Sequence, residues 1–199
     1  MERTEAVVIL DNGHGIETGG KRSPDETVRE YLYTRELAAA IATALRADGV
    51  QVELLTPEIS DTKLTIRTSR ANAICYAHGV RQCLLVSVHL NAAGSGASWL
   101  GARGWQVNVC LTASVDSKRL AACLFDEASL HFNVRRPDPE RKYWPQNLAI
   151  CRDVACPAVL TESLFMDNKQ DLEMLKSYEW FNSLVGIHVN GILKYIDSL

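Results

Sequence analysis

The chain has 199 residues, of which 47% are hydrophobic and 23% charged, and its 21 basic and 24 acidic side chains give a formal net charge of −3 at pH 7. This length and apolar content predict one globular domain and exclude a wholly disordered chain. The balanced charge excludes a general nucleic-acid-binding surface, which needs clustered lysine and arginine, and no apolar run approaches the ~20 residues that span a bilayer.

Strands and helices alternate along the first half of the chain. Short apolar runs rich in β-branched residues predict strands at residues 6–11 and 50–55, and helical spacing of apolar residues predicts helices at 27–48 and 61–78. The first of these helices ends at Gly49, and Asp61 or Thr62 is expected to cap the second. The first strand is expected to be fully buried and parallel to its neighbours.

The second half repeats the alternation. Residues 83–88 predict a third buried strand, and the alternating pattern at 105–109 predicts an edge or half-exposed strand. Helical spacing predicts two further helices, at 117–131 and 178–195. A surface loop with several prolines is predicted at 135–146, and a last strand at 158–161. Strands alternating with helices predict βαβ units, and hence an α/β fold with a mainly parallel sheet covered by helices on both faces.

Six cysteines are spread along the chain without any CxxC pair, and most of them lie in apolar stretches. We expect reduced, largely buried thiols, because disulfide frameworks belong to much smaller secreted domains and reactive or zinc-binding thiols have a recognisable spacing or a basic neighbourhood. These residues are Cys75, Cys83, Cys110, Cys123, Cys151 and Cys156.

Polar side chains with metal-binding or acid–base chemistry follow three of the predicted strands. His14 lies just past the end of the first strand, His89 ends the third and Glu162 ends the last. Ligands of open parallel sheets bind beyond the carboxyl ends of the strands, where the loops converge. We therefore expect the three side chains to meet there, whereas the remaining histidines on predicted helices are expected to be structural.

Glu30 lies on the inward side of the first predicted helix, in line with Leu37 and Ile41 at 3.6 residues per turn. An inward carboxylate is costly unless it is paired or binds a cation. The alternative is a partly exposed carboxylate at a helix start, which the helix dipole stabilises. As a ligand, Glu30 would complete a set of two imidazoles and one carboxylate with an open fourth position, which is typical of catalytic zinc sites.

Three polar residues next to these candidates could support the ligands. Ser87 and Asn91 share a strand face with His89 at a period of two, so either could hydrogen-bond near the imidazole. Asp11 could support His14 in the same way, or it could cap the glycine turn that follows the first strand.

Four motifs, in order, resemble the zinc-dependent N-acetylmuramoyl-L-alanine amidases of the amidase 3 type, which occur among bacterial cell-wall hydrolases and phage endolysins. They are VILDNGHG at 8–15, Glu30 opening a helix that ends at Gly49, VSVHLNA at 86–92 and PAVLTESLFMDN at 157–168. Asn12 stands where the family usually has proline, and Ser163-Leu164 replace a small-residue and glycine pattern. The resemblance covers nearly the whole chain, although residues 135–146 are unlike the common pattern.

The resemblance implies a single catalytic domain over residues 1–199, with a twisted sheet of about six strands between helices. It implies one zinc ion on His14, Glu30 and His89, and Glu162 as the catalytic carboxylate. The implied reaction is hydrolysis of the amide that joins the lactyl group of N-acetylmuramic acid to L-alanine of the peptidoglycan stem peptide. Peptidoglycan is thus the expected partner.

Two other functions use the same sequence features. A zinc carboxypeptidase or endopeptidase acting on stem peptides would need the same ligands. A non-catalytic wall-binding protein could share the fold, although loss of a ligand or of Glu162 would then be expected. Arg152 and the basic loop at 135–146 are candidate partners for stem-peptide carboxylates, and the alternative for the loop is a solvated surface segment.

The implied substrate lies outside the cytoplasmic membrane, in the cell wall, yet the segment Met1-Glu2-Arg3-Thr4-Glu5 lacks the basic and apolar regions of a secretory signal. We therefore expect either release through a membrane lesion, as for phage lysins, or a catalytic fragment of a longer exported protein.

Overall fold

A six-stranded sheet runs through the centre of the computed structural model, which describes residues 1–199. The strands are β1 (Val7–Asn12), β2 (Gln51–Leu54), β3 (Cys83–Asn91), β4 (Gln106–Cys110), β5 (Trp144–Gln146) and β6 (Ala158–Phe165). Their order across the sheet is β2-β1-β3-β6-β4-β5, and the only antiparallel pairing is that between β4 and β6. The predicted α/β fold with a mainly parallel sheet is confirmed.

Six helices accompany the sheet. They are α1 (Glu30–Ala47), α2 (Leu64–His78), α3 (Val115–Ser129), α4 (Ala149–Arg152), α5 (Lys169–Leu175) and α6 (Tyr178–Asp197). On one face α6 packs against both α1 and α3, and on the other face α2 packs against α4. Helices therefore cover both faces of the sheet, as the sequence predicts.

Buried apolar stripes fix the long helices on the sheet. In α1 the residues Leu37, Ile41 and Leu45 recur every four positions and are completely buried. Asp48 and Gly49 end this helix, and Gly49 has a φ of 83°, a left-handed conformation that suits glycine at a helix end. None of the helices is both long and apolar enough to cross a membrane.

The strand predicted at 105–109 is not at an edge and is not half exposed. All five residues of β4 are buried, because β5 pairs with its outer side. β5 lies within residues 135–146, which the sequence predicts as a loop only. The polar residues of β4 do not face solvent, since Gln106 Nε2 donates a hydrogen bond of 3.0 Å to Asn108 Oδ1 inside the protein.

Several predicted boundaries differ from the structure. β3 continues to Asn91 and β6 to Phe165, beyond the apolar runs that predicted them. The predicted cap of α2 is wrong, because Lys63 is the N-cap residue and no side chain caps this helix. The short helices α4 and α5 were not predicted. Of the six free cysteines, five are buried and Cys123 is partly so, in line with the expected burial.

Candidate active site

His89 and Glu162 lie side by side at the carboxyl end of the sheet. The parallel register of β3 and β6 pairs His89 with Glu162, and it pairs Ser87 with Leu160 two residues earlier. Residues two apart point to the same face of a sheet, so these four side chains share one face. That face is the one covered by α2, because Ser87 hydrogen-bonds Asp11 of β1, which in turn contacts α2.

Glu30 brings the two histidines together. Its side chain is only 1% exposed, and its Oε1 lies 3.0 Å from His89 Nδ1 and accepts a 3.0 Å hydrogen bond from the backbone N–H of Leu90. Its Oε2 lies 3.5 Å from His14 Nε2. The inward orientation expected for Glu30 is therefore present, and the alternative of an exposed helix-start carboxylate is wrong.

The side chains of His89 and Glu30 limit which residue can stand in the turn between β1 and His14. A Cβ atom on Gly13 would lie 2.6 Å from His89 Nδ1 and 2.9 Å from Glu30 Oε1, so no larger residue fits without moving them. The next residue, His14, has a φ of 59°, in the left-handed region that non-glycine residues rarely adopt. The imidazole of His14 meets that of His89 edge-on, with 5.2 Å between the ring centroids.

These three side chains fit a metal ion. One ligand atom from each of His14, Glu30 and His89 lies within 4.8 Å of the other two. Glu30 Oε2 is buried and has no hydrogen-bond donor in the protein, so a cation between the imidazoles would satisfy it. Two nitrogens and one carboxylate oxygen are the donor set that zinc prefers in catalytic sites.

The ionisation of His14 and Glu30 also suits a cation, whereas the pKa of His89 is raised, because the hydrogen bond and charge of Glu30 outweigh its burial. Burial lowers the pKa of His14 and so favours the neutral imidazole, which is the form that binds metals. Burial alone would raise the pKa of Glu30, but the hydrogen bond and charge of His89 outweigh burial and hold it below its ordinary value. Glu30 is therefore a carboxylate despite its position in the interior.

Glu162 differs from Glu30 in its protonation. Burial raises the pKa of Glu162 to about 7, with His89 opposing the rise and the charge of Glu30 adding to it. Its Oε2 is buried and has no hydrogen-bond partner. A carboxyl group with a pKa near neutrality can both accept and return a proton at physiological pH, which is the property of a general acid–base catalyst.

A groove of about 550 Å³ opens over His14 and His89. One wall is residues 61–64 and Arg67, at the start of α2, and the other is residues 147–150 and Arg152, around α4. Its floor includes Leu160 of β6. A chain of a few residues could lie in this groove with one bond beside the histidines. A larger cavity of about 710 Å³ lies beyond α4 and contains none of the candidate ligands.

Residues 8–194 match the family model described as N-acetylmuramoyl-L-alanine amidase. The chain belongs to this amidase family. It is therefore an enzyme that hydrolyses the amide bond between N-acetylmuramic acid and L-alanine in peptidoglycan. The resemblance seen in the four sequence motifs is confirmed.

Individual relatives agree with this assignment. The N-acetylmuramoyl-L-alanine amidase CwlM of Bacillus licheniformis is 26% identical over 188 residues, which are 94% of this chain and 67% of the relative. The endolysin of Bacillus phage SPP1 is 25% identical over 96% of this chain and 66% of its own length. The chain thus spans about two thirds of these relatives. The crystal structure of an N-acetylmuramoyl-L-alanine amidase from Clostridium difficile 630 has the same fold, with a TM-score of 0.83 at 24% identity and 97% coverage of both chains.

Other side chains proposed to support the ligands of this amidase have different partners. Ser87 Oγ donates a 2.6 Å hydrogen bond to Asp11 Oδ2, and Asn91 Oδ1 accepts from the backbone N–H of Ala92. Neither therefore bonds an imidazole. Asp11 also makes no contact with the His14 ring, because its carboxylate is bound by Arg67 of α2 at 2.7 Å. Support of the ligands by these residues, if it occurs, does not take the form of a direct hydrogen bond to an imidazole, and it stays a prediction.

Arg67 was missed in the sequence, although a signal was present. Arg67, Ala71 and Cys75 are the buried residues of α2 and recur every four positions. A charged residue on such a buried stripe is rarely found without a partner of opposite charge inside the protein. In this amidase Arg67 is paired, and its partners lie next to His14.

The basic residues predicted to contact substrate fall into two groups. Arg152 lies on the groove wall, where its guanidinium bonds Asp153 and Asn147. The basic residues at 135–146 do not line the groove. Arg135 lies 4.7 Å over the ring of Phe165 and donates to Gln106, and Lys142 pairs with Asp126 at 2.6 Å. These latter contacts favour a structural role for that segment.

Proposed function

We propose that the chain hydrolyses its peptidoglycan amide with one zinc ion held by His14, Glu30 and His89, and with Glu162 as the proton carrier. The observation that carries this proposal is the carboxylate of Glu30, whose Oε1 lies 3.0 Å from His89 Nδ1 and whose buried Oε2 lies 3.5 Å from His14 Nε2 without a hydrogen-bond donor. Zinc bound there would polarise the scissile carbonyl and lower the pKa of a water molecule to near 7.

We assign the proton transfer to Glu162, the residue paired with His89 between β3 and β6. Its carboxylate accepts a proton from the attacking water as the new carbon–oxygen bond forms. It then donates that proton to the nitrogen of L-alanine as the carbon–nitrogen bond breaks, so the leaving group departs as a neutral amine. The raised pKa of Glu162 supports this role, because a carboxylate of ordinary pKa is a weaker base and accepts the proton of water less readily.

The groove supports binding of the stem peptide along the face of α2 and α4. Stem peptides carry carboxylates, and one exposed cation lies on each wall of the groove, Lys63 on the α2 side and Arg152 on the α4 side. We assign both to carboxylate binding, with Arg152 exchanging its surface partner Asp153 for substrate. The cell wall is then the place of action, and release as a lysin or export as part of a longer protein remain predictions.

The experiment is Glu162→Gln, measured on purified peptidoglycan. We expect kcat to fall by about 10³-fold, because the amide cannot carry the proton, while metal analysis still finds one zinc per chain. Glu36→Gln, an exposed residue of α1, is the matched control and should keep the wild-type rate. Mass spectrometry of the products should find stem peptides with a free N-terminal alanine.

Three results would contradict the proposal. Wild-type turnover by Glu162→Gln would remove its assigned role, and absence of zinc from the active wild-type enzyme would remove the metal. Products cut within the stem peptide would instead support the endopeptidase alternative.

A further inference from the structure

A buried guanidinium group lies beside the turn that carries His14. The side chain of Arg67 is only 4% exposed, although it belongs to α2 at the wall of the groove. Its Nε donates a 2.8 Å hydrogen bond to the carbonyl of Thr62, which ties the side chain to the segment leading into its own helix. The rest of the guanidinium points toward the end of β1.

The other partners of Arg67 surround the turn itself. Nη1 donates to Asp11 Oδ1 at 2.7 Å and to the backbone carbonyl of Asn12, and Nη2 lies 3.5 Å from the carbonyl of His14. One side chain thus binds backbone on both sides of Gly13. These contacts offset the conformational cost of the left-handed backbone at His14, which non-glycine residues rarely adopt.

The charge of this guanidinium is neutralised locally. Asp11 is buried and accepts hydrogen bonds from Arg67, from Ser87 Oγ at 2.6 Å and from Thr56 Oγ1 at 3.3 Å. A buried cation without a counter-ion would be costly and would oppose a divalent cation in the adjacent site. The ion pair therefore lets a cation hold the turn without repelling the metal.

The segment after His14 docks on the same part of the molecule. We call residues 13–18 the metal loop. Its Thr18 Oγ1 donates to Asp61 Oδ2 at 2.7 Å, and the N–H of Asp61 donates to Glu17 Oε2 at 2.7 Å. A Cβ atom on Gly15 would lie 2.1 Å from the backbone nitrogen of Asp61, so the two segments touch closely. The metal loop thus depends on the start of α2 along its length.

We propose that Arg67 is a positioning residue for His14, which sets the zinc affinity of the enzyme by holding the metal loop in its ligand-binding conformation. This inference rests on the proposed function, since it requires zinc on His14. Arg67 acts through the backbone on either side of Gly13, and it touches neither metal nor substrate.

The test compares Arg67→Lys and Arg67→Ala with Arg70→Lys. Lysine keeps the charge but lacks the planar fork that reaches several acceptors at once. Arg70, three residues further along α2, is a half-buried arginine paired with Glu58 outside the metal loop and serves as the matched control. Zinc affinity is measured by competition with a chromophoric chelator, at a temperature where circular dichroism shows each metal-free variant to be folded.

We expect zinc affinity to fall about 10- to 100-fold in Arg67→Lys, and at least as much in Arg67→Ala, the range found when residues that orient metal ligands are changed. Arg70→Lys should stay within about 2-fold of wild type. The cobalt-substituted enzyme adds a signature that a purely stabilising role would not alter, since its visible bands report the ligand geometry. Those bands should change in Arg67→Lys and not in Arg70→Lys.

Wild-type zinc affinity and cobalt bands in Arg67→Lys would overturn the inference, even if its melting temperature fell. If Arg67→Ala does not fold, Arg67→Lys decides the question. A wild-type enzyme that binds no stoichiometric zinc would instead overturn the proposed function, so the two failures are distinguishable.

Discussion

The two candidate zinc-binding histidines are held by different means. His89 is part of β3, where pairing with β6 fixes its backbone. His14 lies beyond the end of β1 in a left-handed conformation, and contacts from α2 surround its turn. A ligand inside a sheet takes its position from backbone hydrogen bonds, whereas a ligand on a loop needs dedicated side chains. Substitutions that displace both histidines should therefore have the largest effect on zinc binding and activity. Changes that affect the surroundings of only one histidine should have smaller effects.

The largest effect is expected for Gly13→Ala, because Gly13 touches both sides of the site. The new methyl group would meet His89 Nδ1 at 2.6 Å and Glu30 Oε1 at 2.9 Å, so the loop-held and sheet-held ligands would be pushed apart. We expect zinc affinity and kcat/KM to fall at least about 100-fold. Gly19→Ala, in the same connection between β1 and α1 but with no atom within 4 Å of the added Cβ, is the control. Normal zinc binding by Gly13→Ala would show that the turn can relax.

An intermediate effect, on the stability of the fold, is expected when acid protonates His188, which packs behind β6. Behind β6, His188 is completely buried, with Nε2 2.9 Å from Thr161 Oγ1 and Nδ1 2.7 Å from the carbonyl of Leu184. Burial lowers the pKa of His188 to about 4, against 6.5 for an ordinary histidine. The unfolded chain therefore binds this proton more readily, and stability is lost as the pH falls from about 6.5 to about 4.

The loss from this one group is about 3 kcal/mol when the shift is converted at 1.36 kcal/mol per unit. Urea unfolding at pH 7 and pH 4.5 should show a smaller decline in His188→Gln than in wild type, because glutamine does not titrate. Both proteins measured at pH 8 give the baseline difference. An equal decline in the two would mean that His188 is protonated in the folded protein.

The smallest effect is expected for Ser87→Ala, which removes one donor from Asp11 while leaving Arg67 in place. Loss of this buried 2.6 Å hydrogen bond should lower the free energy of unfolding by about 1–2 kcal/mol. Zinc affinity should change less than in Arg67→Lys, since the turn keeps its direct contacts. Ser129→Ala, an exposed serine at the end of α3, is the control. A loss of zinc binding as large as that of Arg67→Lys would mean that Asp11, not Arg67, governs the loop.

The sequence predicted those parts of the molecule that depend on local pattern. The alternation of apolar strands with helices gave the α/β class, and His14, His89 and Glu162 were identified because each follows an apolar strand. Glu30 was identified from helix periodicity alone. The four side chains do converge at one end of the sheet.

The features that the sequence predicted wrongly or missed depend on interactions between residues far apart in the chain. β5 has only three residues, and it is a strand because it pairs with β4, which no local pattern shows. The same pairing buries β4, which the sequence placed at an edge. Arg67 contacts Asp11, which is 56 positions away, so neither residue indicates the other in the sequence. Ser87 shares a face with His89, as predicted, but Asp11 is the nearer acceptor for its hydroxyl.

Helix α2 contributes both to the groove and to the contacts that hold the turn at His14, and this affects any attempt to change the substrate of the enzyme. Residues at the start of α2 form one side of the groove, and Arg67 of the same helix reaches the backbone beside His14. Residues 147–152, on the opposite side of the groove, form no hydrogen bond with His14, Glu30 or His89. If the groove binds the stem peptide as we propose, substitutions on the α4 side should alter substrate choice with the metal site intact, whereas substitutions at the start of α2 should alter substrate choice and metal retention together.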